Sequence, residues 1–321
     1  MRDHGGNLDR AMRTYGGEAA DWIDLSTGIN RLPYPVPPLS PEAWTQLPTR
    51  SATERLLLAA RTNYATTAPM VALPGAQAAI QWIPHLGGKG LARVLGPTYN
   101  EHAGALRAAG WRVEEVADLQ ALSGADLAVI VNPNNPDGRL AQPKSIKELL
   151  PLVGRLVVDE SFVDATPELS CAPVADVPGL ILLRSFGKFY GLAGLRLGFA
   201  LGNGKDINAL AAMAGPWPVS GAAIEIGTSA LLDDAWSQKT SLRLGGEVRR
   251  MDGMAGKMGW KPVGGTALFR LFQVETAQAA QDHLARHRIW SRIFPYSTHW
   301  LRLGLPGNET EWRRLGEALG G

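Results

Sequence analysis

Residues 182–200 read "LLRSFGKFYGLAGLRLGFA". A primary amine, Lys188, stands in a glycine-rich turn directly after a short apolar run, with Ser185 three positions before it and Arg196 eight after it. The flanking runs "LILLR" (180–184) and "RLGFAL" (196–201) are short and continuously apolar, as strands buried on both faces are. The same pattern occurs upstream in "LARVL" (91–95), "LAVIV" (127–131) and "RLVVD" (155–159). Helical patterns over 52–64, 76–83, 100–109 and 144–152 alternate with these runs. Strands alternating with helices predict an α/β fold: a large domain whose mostly parallel central sheet carries helices on both faces.

Working outward, "RLPYPVPPLSP" (31–41) is too rich in proline for a helix and reads as an extended arm. After "GPWPVS" (215–220) the pattern changes. Helical periods over 222–236 and 241–258 precede the apolar runs "TALFRLF" (266–272), "RIWSRI" (288–293) and "HWLRLGL" (299–305), and a last helix is expected over 309–319. The expected division is an N-terminal arm over 1–40 that joins the smaller domain, a large domain over 41–220 and a smaller α+β domain over 221–321.

Bulk properties narrow the function classes. The 321 residues are 45% hydrophobic and 19% charged, the composition of a globular protein. A net charge of +2 gives no general attraction to nucleic acid or to an anionic membrane. The single cysteine, Cys171, excludes an intramolecular disulfide and a cysteine-based zinc site. "MRDHGGNLDR" (1–10) lacks the apolar core of a secretion signal, and no apolar run approaches the roughly 18 residues of a membrane span. A cytoplasmic protein is expected. "GGKGLAR" (87–93) and "GNGKD" (202–206) lack P-loop spacing and read as turns. No dinucleotide fingerprint and no G-x-S-x-G elbow occur. His283 and His287 have the spacing of a two-histidine metal site but no following Glu, and no metal is expected.

Three stretches stand at predicted strand ends: "NPNNPDG" (132–138), "DESF" (159–162) and "SFGK" (185–188). In an open parallel sheet, ligands bind beyond the carboxyl ends of the strands. Asn135, Asp159 and Lys188 can therefore converge although 24 and 29 residues separate them. A lysine there, with no rival nucleophile and no metal, suggests a Schiff base to a carbonyl. Pyridoxal 5'-phosphate has matching needs: an amine for its aldehyde, a carboxylate for its ring nitrogen, and a hydroxyl, an arginine and a helix N-terminus for its phosphate. Ser185 and Arg196 supply two of these groups, and "LPGAQAAI" (73–80) supplies a helix start.

These stretches, with "LAGLRLG" (192–198), resemble the signature set of fold-type I pyridoxal phosphate enzymes of the aspartate aminotransferase superfamily. The resemblance spans nearly the whole chain. It implies that Lys188 carries the cofactor covalently, that Asp159 pairs with its ring nitrogen and that Asn135 donates to its 3-oxygen. It implies further that Tyr99 stacks on the ring, and that Gly75, Ala76, Gln77, Ser185 and Arg196 hold the phosphate. Arg302, in "HWLRLGL", would bind the substrate carboxylate.

"HGGN" (4–7), "DLSTGIN" (24–30), "GPTYNEH" (96–102) and "DESF" resemble the branch that contains the threonine-phosphate decarboxylases of cobalamin biosynthesis. That resemblance implies a homodimeric carboxy-lyase acting on a small phosphorylated amino acid, with a cobalamin-pathway synthase as a possible partner. A second phosphate needs a second anion site, for which the glycine turn of His4 and Gly5 offers backbone N–H groups and an imidazole, and Asn30 an amide. Two rivals stand beside this reading: an aminotransferase of the histidinol-phosphate type, and a non-catalytic partner of a cobalamin-pathway enzyme. Phe162 stands where histidinol-phosphate aminotransferases carry Tyr. Leu47-Pro48 departs from the Tyr-Pro with which many relatives reach the partner subunit's cofactor, leaving Thr49, Arg50 and Ser51 as the nearby polar groups.

Overall fold

The computed structural model describes residues 4–320 and divides them into two units. The larger holds Tyr34–Asn135 and Leu140–Ser237. The smaller holds the described residues through Pro33, the turn Pro136–Arg139 and the chain from Gln238. Compared with the expected limits, the arm ends at residue 33 rather than 40, and the second division falls after 237 rather than 220. The reason lies in the helix Gly221–Leu231, which packs on the helix Arg50–Asn63 of the larger unit. A side chain at Gly227 would press on Leu56 and Leu197, so glycine sets the closeness of that packing. Residues 1–3 and 321 of the expected segments lie outside the described residues.

The larger unit is built on a seven-stranded sheet. From one edge to the other its strands are Met70–Leu73, Gly198–Gly202, Leu180–Ser185, Leu156–Asp159, Leu127–Val131, Leu91–Leu95 and Arg112–Val116. All run in one direction except Gly198–Gly202, which is antiparallel to both its neighbours. Every residue of "LAVIV" and of Leu156–Asp159 is buried, as a central strand covered on both faces must be. Burying each Val, Leu or Ile there contributes about 1.5–3 kcal/mol. One face packs Ile80, Ile83, Leu106, Trp111, Ile207 and Leu210 against the sheet.

Several elements lie beyond the sequence expectations, among them two strands and one helix of the larger unit. Met70–Leu73 and Arg112–Val116 are the edge strands, and the second is mostly exposed and charged. "GNGKD" is the start of a helix, Gly204–Ala214, not an isolated turn: Asn203 Oδ1 accepts from the backbone of Lys205 and Asp206 and caps it.

The smaller unit has a four-stranded antiparallel sheet in the order Arg292–Phe294, Ser297–Gly304, Phe269–Gln273, Lys261–Thr266. The helix Ala277–Arg286 packs on Ser297–Gly304. The run "RIWSRI" is broken at Ser291: Ile289–Trp290 pairs in parallel with Ile23–Asp24, and Arg292–Phe294 joins the sheet. The arm helix Leu8–Tyr15 packs with Trp22, Ala285 and Trp290, which ties the N-terminal residues into this unit. No helix among the described residues is long and apolar enough to cross a membrane.

Candidate active site

The strand ends of the larger unit line an open cleft. Gly75, Ala76, Gln77, Tyr99, Asn135, Asp159, Ser185, Lys188 and Arg196, all read from the sequence as cofactor contacts, stand on its wall. Each is delivered by an identifiable local device.

Asp159 ends its strand and is 3% exposed. Its Oδ2 accepts a 2.8 Å hydrogen bond from His102 Nε2. Its Oδ1 accepts from the Ser161 backbone at 3.0 Å and from the Ser161 hydroxyl. Burial pushes this carboxyl up, but the hydrogen bond and charge of His102 and the two bonds from Ser161 outweigh it and hold the group below its ordinary value. Asp159 is thus kept as a buried carboxylate.

Lys188 sits on the short helix Phe186–Phe189 that follows Leu180–Ser185. Its Nζ lies 5.7 Å from the centre of the Phe162 ring. Behind this helix, Tyr190 is stacked between Phe186 and Trp236 at ring separations of 4.3 and 5.5 Å. A side chain at Gly187 would lie 2.7 Å from Ala193 Cα, so only glycine lets the following turn close over the lysine helix.

The loop carrying Asn135 is closed by a clamp. Asn132 donates to Ala141 O and accepts from Ala141 N, both at 2.9 Å. Asn134 donates to Pro97 O at 3.0 Å and accepts from Thr98 Oγ1 at 2.6 Å. On the next wall, Tyr99 Oη donates to Gln77 Oε1 at 3.2 Å, and Gln77 Nε2 donates to Glu101 Oε2 at 3.0 Å. The Gln77 amide therefore holds the Tyr99 ring.

Gly75 and Arg196 meet on the cleft wall as a cradle. Gly75 has φ +81° and precedes the helix Ala76–Trp82, so its region of the backbone is one that glycine favours. A Cβ there would lie 2.8 Å from Arg196 Nη2. Arg196 is itself left-handed at φ +54° and donates from Nη1 to Ala193 O at 3.0 Å. Gly198, which leads the reversed strand, sits so close to Ala76 N that a side chain would collide with it.

The four residues read as substrate contacts belong to the smaller unit. There Ser26 joins two of them. Arg302 Nη2 donates to Ser26 O at 2.7 Å, Gly6 N donates to Ser26 Oγ at 2.7 Å, and a side chain at Gly5 would collide with Ser26 O. Burial and the charge of Arg292 push the Arg302 guanidinium down to about 10, against the opposing pull of Tyr296 and Asp24. Asn30 Oδ1 accepts from Leu32 N at 3.1 Å and from Arg243 Nη2 at 2.9 Å. His4 and Gly5 line a small open pocket with Arg10, Ser291 and Arg292.

Sequence reasoning missed His102, Ser161, Ser26 and Arg243. Ser161 and Ser26 each stand two residues after an Asp, and both form the same turn: Ser26 N and Oγ also donate to Asp24 Oδ1, at 2.9 and 2.6 Å. The spacing D-x-S was the available signal. For His102 the signal was its place three residues after Tyr99, one helical turn on.

A sheet of this topology, with a buried carboxylate and a lysine at its strand ends and a glycine–arginine cradle beside them, defines a known class, and the chain belongs to the aminotransferase class I and II family, which it matches over residues 46–319. Within that family it is 42% identical to a threonine-phosphate decarboxylase of Pseudomonas aeruginosa, over 99% of this chain and 97% of that one. It is 40% identical to a threonine-phosphate decarboxylase of a Sinorhizobium species, over 98% and 97% of the two chains. Among solved structures, the histidinol-phosphate aminotransferase of Sinorhizobium meliloti in complex with pyridoxal-5'-phosphate superposes with a TM-score of 0.81 at 19% identity, covering 99% of this chain and 94% of that one. The last likeness is one of fold.

The cleft fits pyridoxal phosphate as its cofactor. The Gly75–Arg196 cradle leaves the space of a missing Cβ where an anion's oxygens need room, and Asp159 is buried with its charge retained. Lys188 is the lysine of the cleft wall.

Proposed function

We propose that the chain is a pyridoxal phosphate-dependent carboxy-lyase that converts L-threonine O-3-phosphate to (R)-1-amino-2-propanol O-2-phosphate and carbon dioxide, the aminopropanol unit of cobalamin. The observation that carries this reading is 40–42% identity to threonine-phosphate decarboxylases along nearly their whole length. The likeness to the histidinol-phosphate aminotransferase supports the fold alone.

When bound, the cofactor supplies an electron sink for a bond broken at the substrate Cα. Asp159 keeps a proton on the ring nitrogen, and His102 and Ser161 hold it charged for that task. Tyr99 and Phe162 wall the ring, and Asn135 donates to the 3-oxygen. Ser185, Arg196 and the backbone of Gly75, Ala76 and Gln77 bind the cofactor phosphate. Arg302 binds the substrate carboxylate; a guanidinium whose charge is penalised by burial gains more than an exposed one from an incoming anion. His4, Gly5 and Asn30 bind the substrate phosphate. Two anchored ends would leave the substrate little rotation about the Cα bond to be broken. The Lys188 amine then returns a proton to Cα.

The reading includes a cytoplasmic homodimer that hands its product to a cobalamin-pathway synthase. The exposure of the large apolar side chains Trp44, Leu47 and Leu58 of the larger unit, at 71%, 64% and 63%, supports a second copy as their cover. The deciding experiment is a product assay with threonine phosphate. Carbon dioxide and aminopropanol phosphate are expected, with no 2-oxo acid formed. Turnover that requires an added 2-oxo acid overturns the lyase reading in favour of an aminotransferase.

A further inference from the structure

Directly behind the cleft lies an ion cluster that no catalytic step uses. Arg184 precedes Ser185 on its strand, so alternation turns it away from the cleft, and Glu160 lies one residue past the strand that ends at Asp159. Arg184 is 3% exposed and Glu160 fully buried. Arg184 Nη1 donates to Glu160 Oε2 and to Ser170 Oγ, each at 3.2 Å, and Nη2 donates to Asp164 Oδ1 at 2.5 Å. Its guanidinium lies 4.0 Å from the centre of the Tyr64 ring. Glu160 is held in turn by the Ser170 hydroxyl at 2.6 Å and the Cys171 backbone at 2.7 Å.

The two carboxylates bracket Ser161, Phe162 and Val163. Ser161 supplies two of the hydrogen bonds to Asp159, and the Phe162 ring faces Lys188 Nζ at 5.7 Å. We propose that Arg184 is a positioning residue: by bridging Glu160 and Asp164 it clasps both ends of this turn and so sets where Ser161 and Phe162 stand against Asp159 and Lys188. This rests on the assignment of Asp159 and Lys188 to the cofactor.

Stability alone is a poor reason for such a cluster. A buried ion pair is often no better for stability than apolar residues of similar volume, because desolvation offsets the attraction. Here Arg184 Nε is also buried without a hydrogen-bond partner, a further cost. What the cluster does provide is direction. A guanidinium fork meets two carboxylates at a fixed angle, and an ammonium cannot.

The test uses the holoenzyme of Arg184→Lys, with Asp164→Asn as a milder second variant that keeps shape and one acceptor. The readouts are kcat, KM, thermal midpoint and the pH titration of the bound cofactor's visible absorption. For Arg184→Lys, kcat falls about tenfold with KM within about twofold, the effect of loosening one oriented hydrogen-bond set. The absorption midpoint moves up by about one pH unit, because a displaced Ser161 leaves Asp159 less able to keep charge on the ring. Asp164→Asn moves both readouts the same way by less. Wild-type kcat and absorption midpoint in a folded variant whose thermal midpoint has dropped would overturn the proposal, since the cluster would then serve the core alone. Failure of both variants to fold overturns it equally. If the absorption midpoint of each variant moves as expected but Lys188 proves not to carry the cofactor, the assignment beneath the proposal fails instead.

Discussion

Replacing Gly75 by alanine separates the backbone's contribution to the anion cradle from that of the arginine. Gly75 has φ +81° and ψ 159°, a combination that costs a residue with a side chain about 1–3 kcal/mol. That strain is present with or without cofactor, so it appears in the thermal midpoint, where 1 kcal/mol is worth about 2–4 °C in a unit of this size. The new Cβ would also stand 2.8 Å from Arg196 Nη2 and 3.3 Å from Cζ. The guanidinium is the free end of a flexible chain, so it moves, and its bond to Ala193 O goes with it. Losing a charge-assisted hydrogen bond to the cofactor phosphate costs about 1.5–3 kcal/mol, and the dissociation constant of pyridoxal phosphate should rise about 10- to 100-fold. The assay is titration of the apoprotein with cofactor, followed by absorption, alongside a thermal melt. Gly194→Ala is the control: nothing stands within 4 Å of its Cβ position and its φ is ordinary, so neither readout should change. A Gly75→Ala protein that melts lower yet binds pyridoxal phosphate as the wild type does would refute the reasoning, because the cradle would not be the phosphate site.

Four further outcomes are expected. Borohydride reduction of the holoenzyme should fix the cofactor to the peptide containing Lys188; label on another lysine would sink that assignment. Asp159→Asn should lower kcat by about a thousandfold while cofactor remains bound, since opposite charges about 4 Å apart interact by roughly 4 kcal/mol at an effective dielectric near 20; near-normal turnover would count against the role. Arg302→Lys should raise KM for threonine phosphate about tenfold and leave cofactor affinity unchanged, because an ammonium cannot form the two-pronged contact, and an unaltered KM would exclude it. Asp159 is held below its ordinary value, so its stabilising charge is present above about pH 4 and is lost only as pH falls through the lower folded value; Ser161→Ala removes one of the bonds that hold it down, and should move the acid limit of the bound cofactor's absorption to higher pH.

The central strands were legible because residues such as Leu127–Val131 are buried on both faces, and continuous burial leaves a continuous apolar run. The edges were not. Arg112–Val116 pairs along one side only, and its charged, exposed side chains are what an edge strand tolerates and a periodicity search passes over. Strand direction was equally hidden, since alternation of side chains is the same whichever way a strand runs. In the site, most of the polar residues facing the cleft, from Gln77 to Arg196, were readable from their motifs. Those acting through another residue were harder: the D-x-S spacing of Ser161 and the helical turn from Tyr99 to His102 are common patterns, Arg184 carries no local signal, and packing is what ties each to Asp159 or to its turn. The division after Ser237 depends on Gly221–Leu231 choosing a partner far away in sequence, Arg50–Asn63, which no local pattern encodes.

The one reversed strand explains why amine, hydroxyl and guanidinium crowd into so few residues. In a purely parallel sheet, the chain leaving Ser185 would cross to the opposite edge before starting its next strand, and only strand ends, never a strand start, would reach the ligand. Gly198–Gly202 instead runs back beside Leu180–Ser185, with Gly198 directly opposite Ser185 and, on its other side, opposite Leu73. The connection from Phe186 to Leu197 therefore begins and ends at the same edge of the sheet. Phe186 N closes it by donating to Leu197 O at 3.2 Å. Lys188 lies near its start and Arg196 near its end, so both stay at the ligand's edge without any long-range contact to bring them there. Because the start of the reversed strand is also paired to the end of Met70–Leu73, the same reversal sets Arg196 beside Gly75. Antiparallel pairing thus converts a spacing of eight residues into two walls of one cleft: the lysine proposed to take the carbonyl and the arginine proposed to take the phosphate.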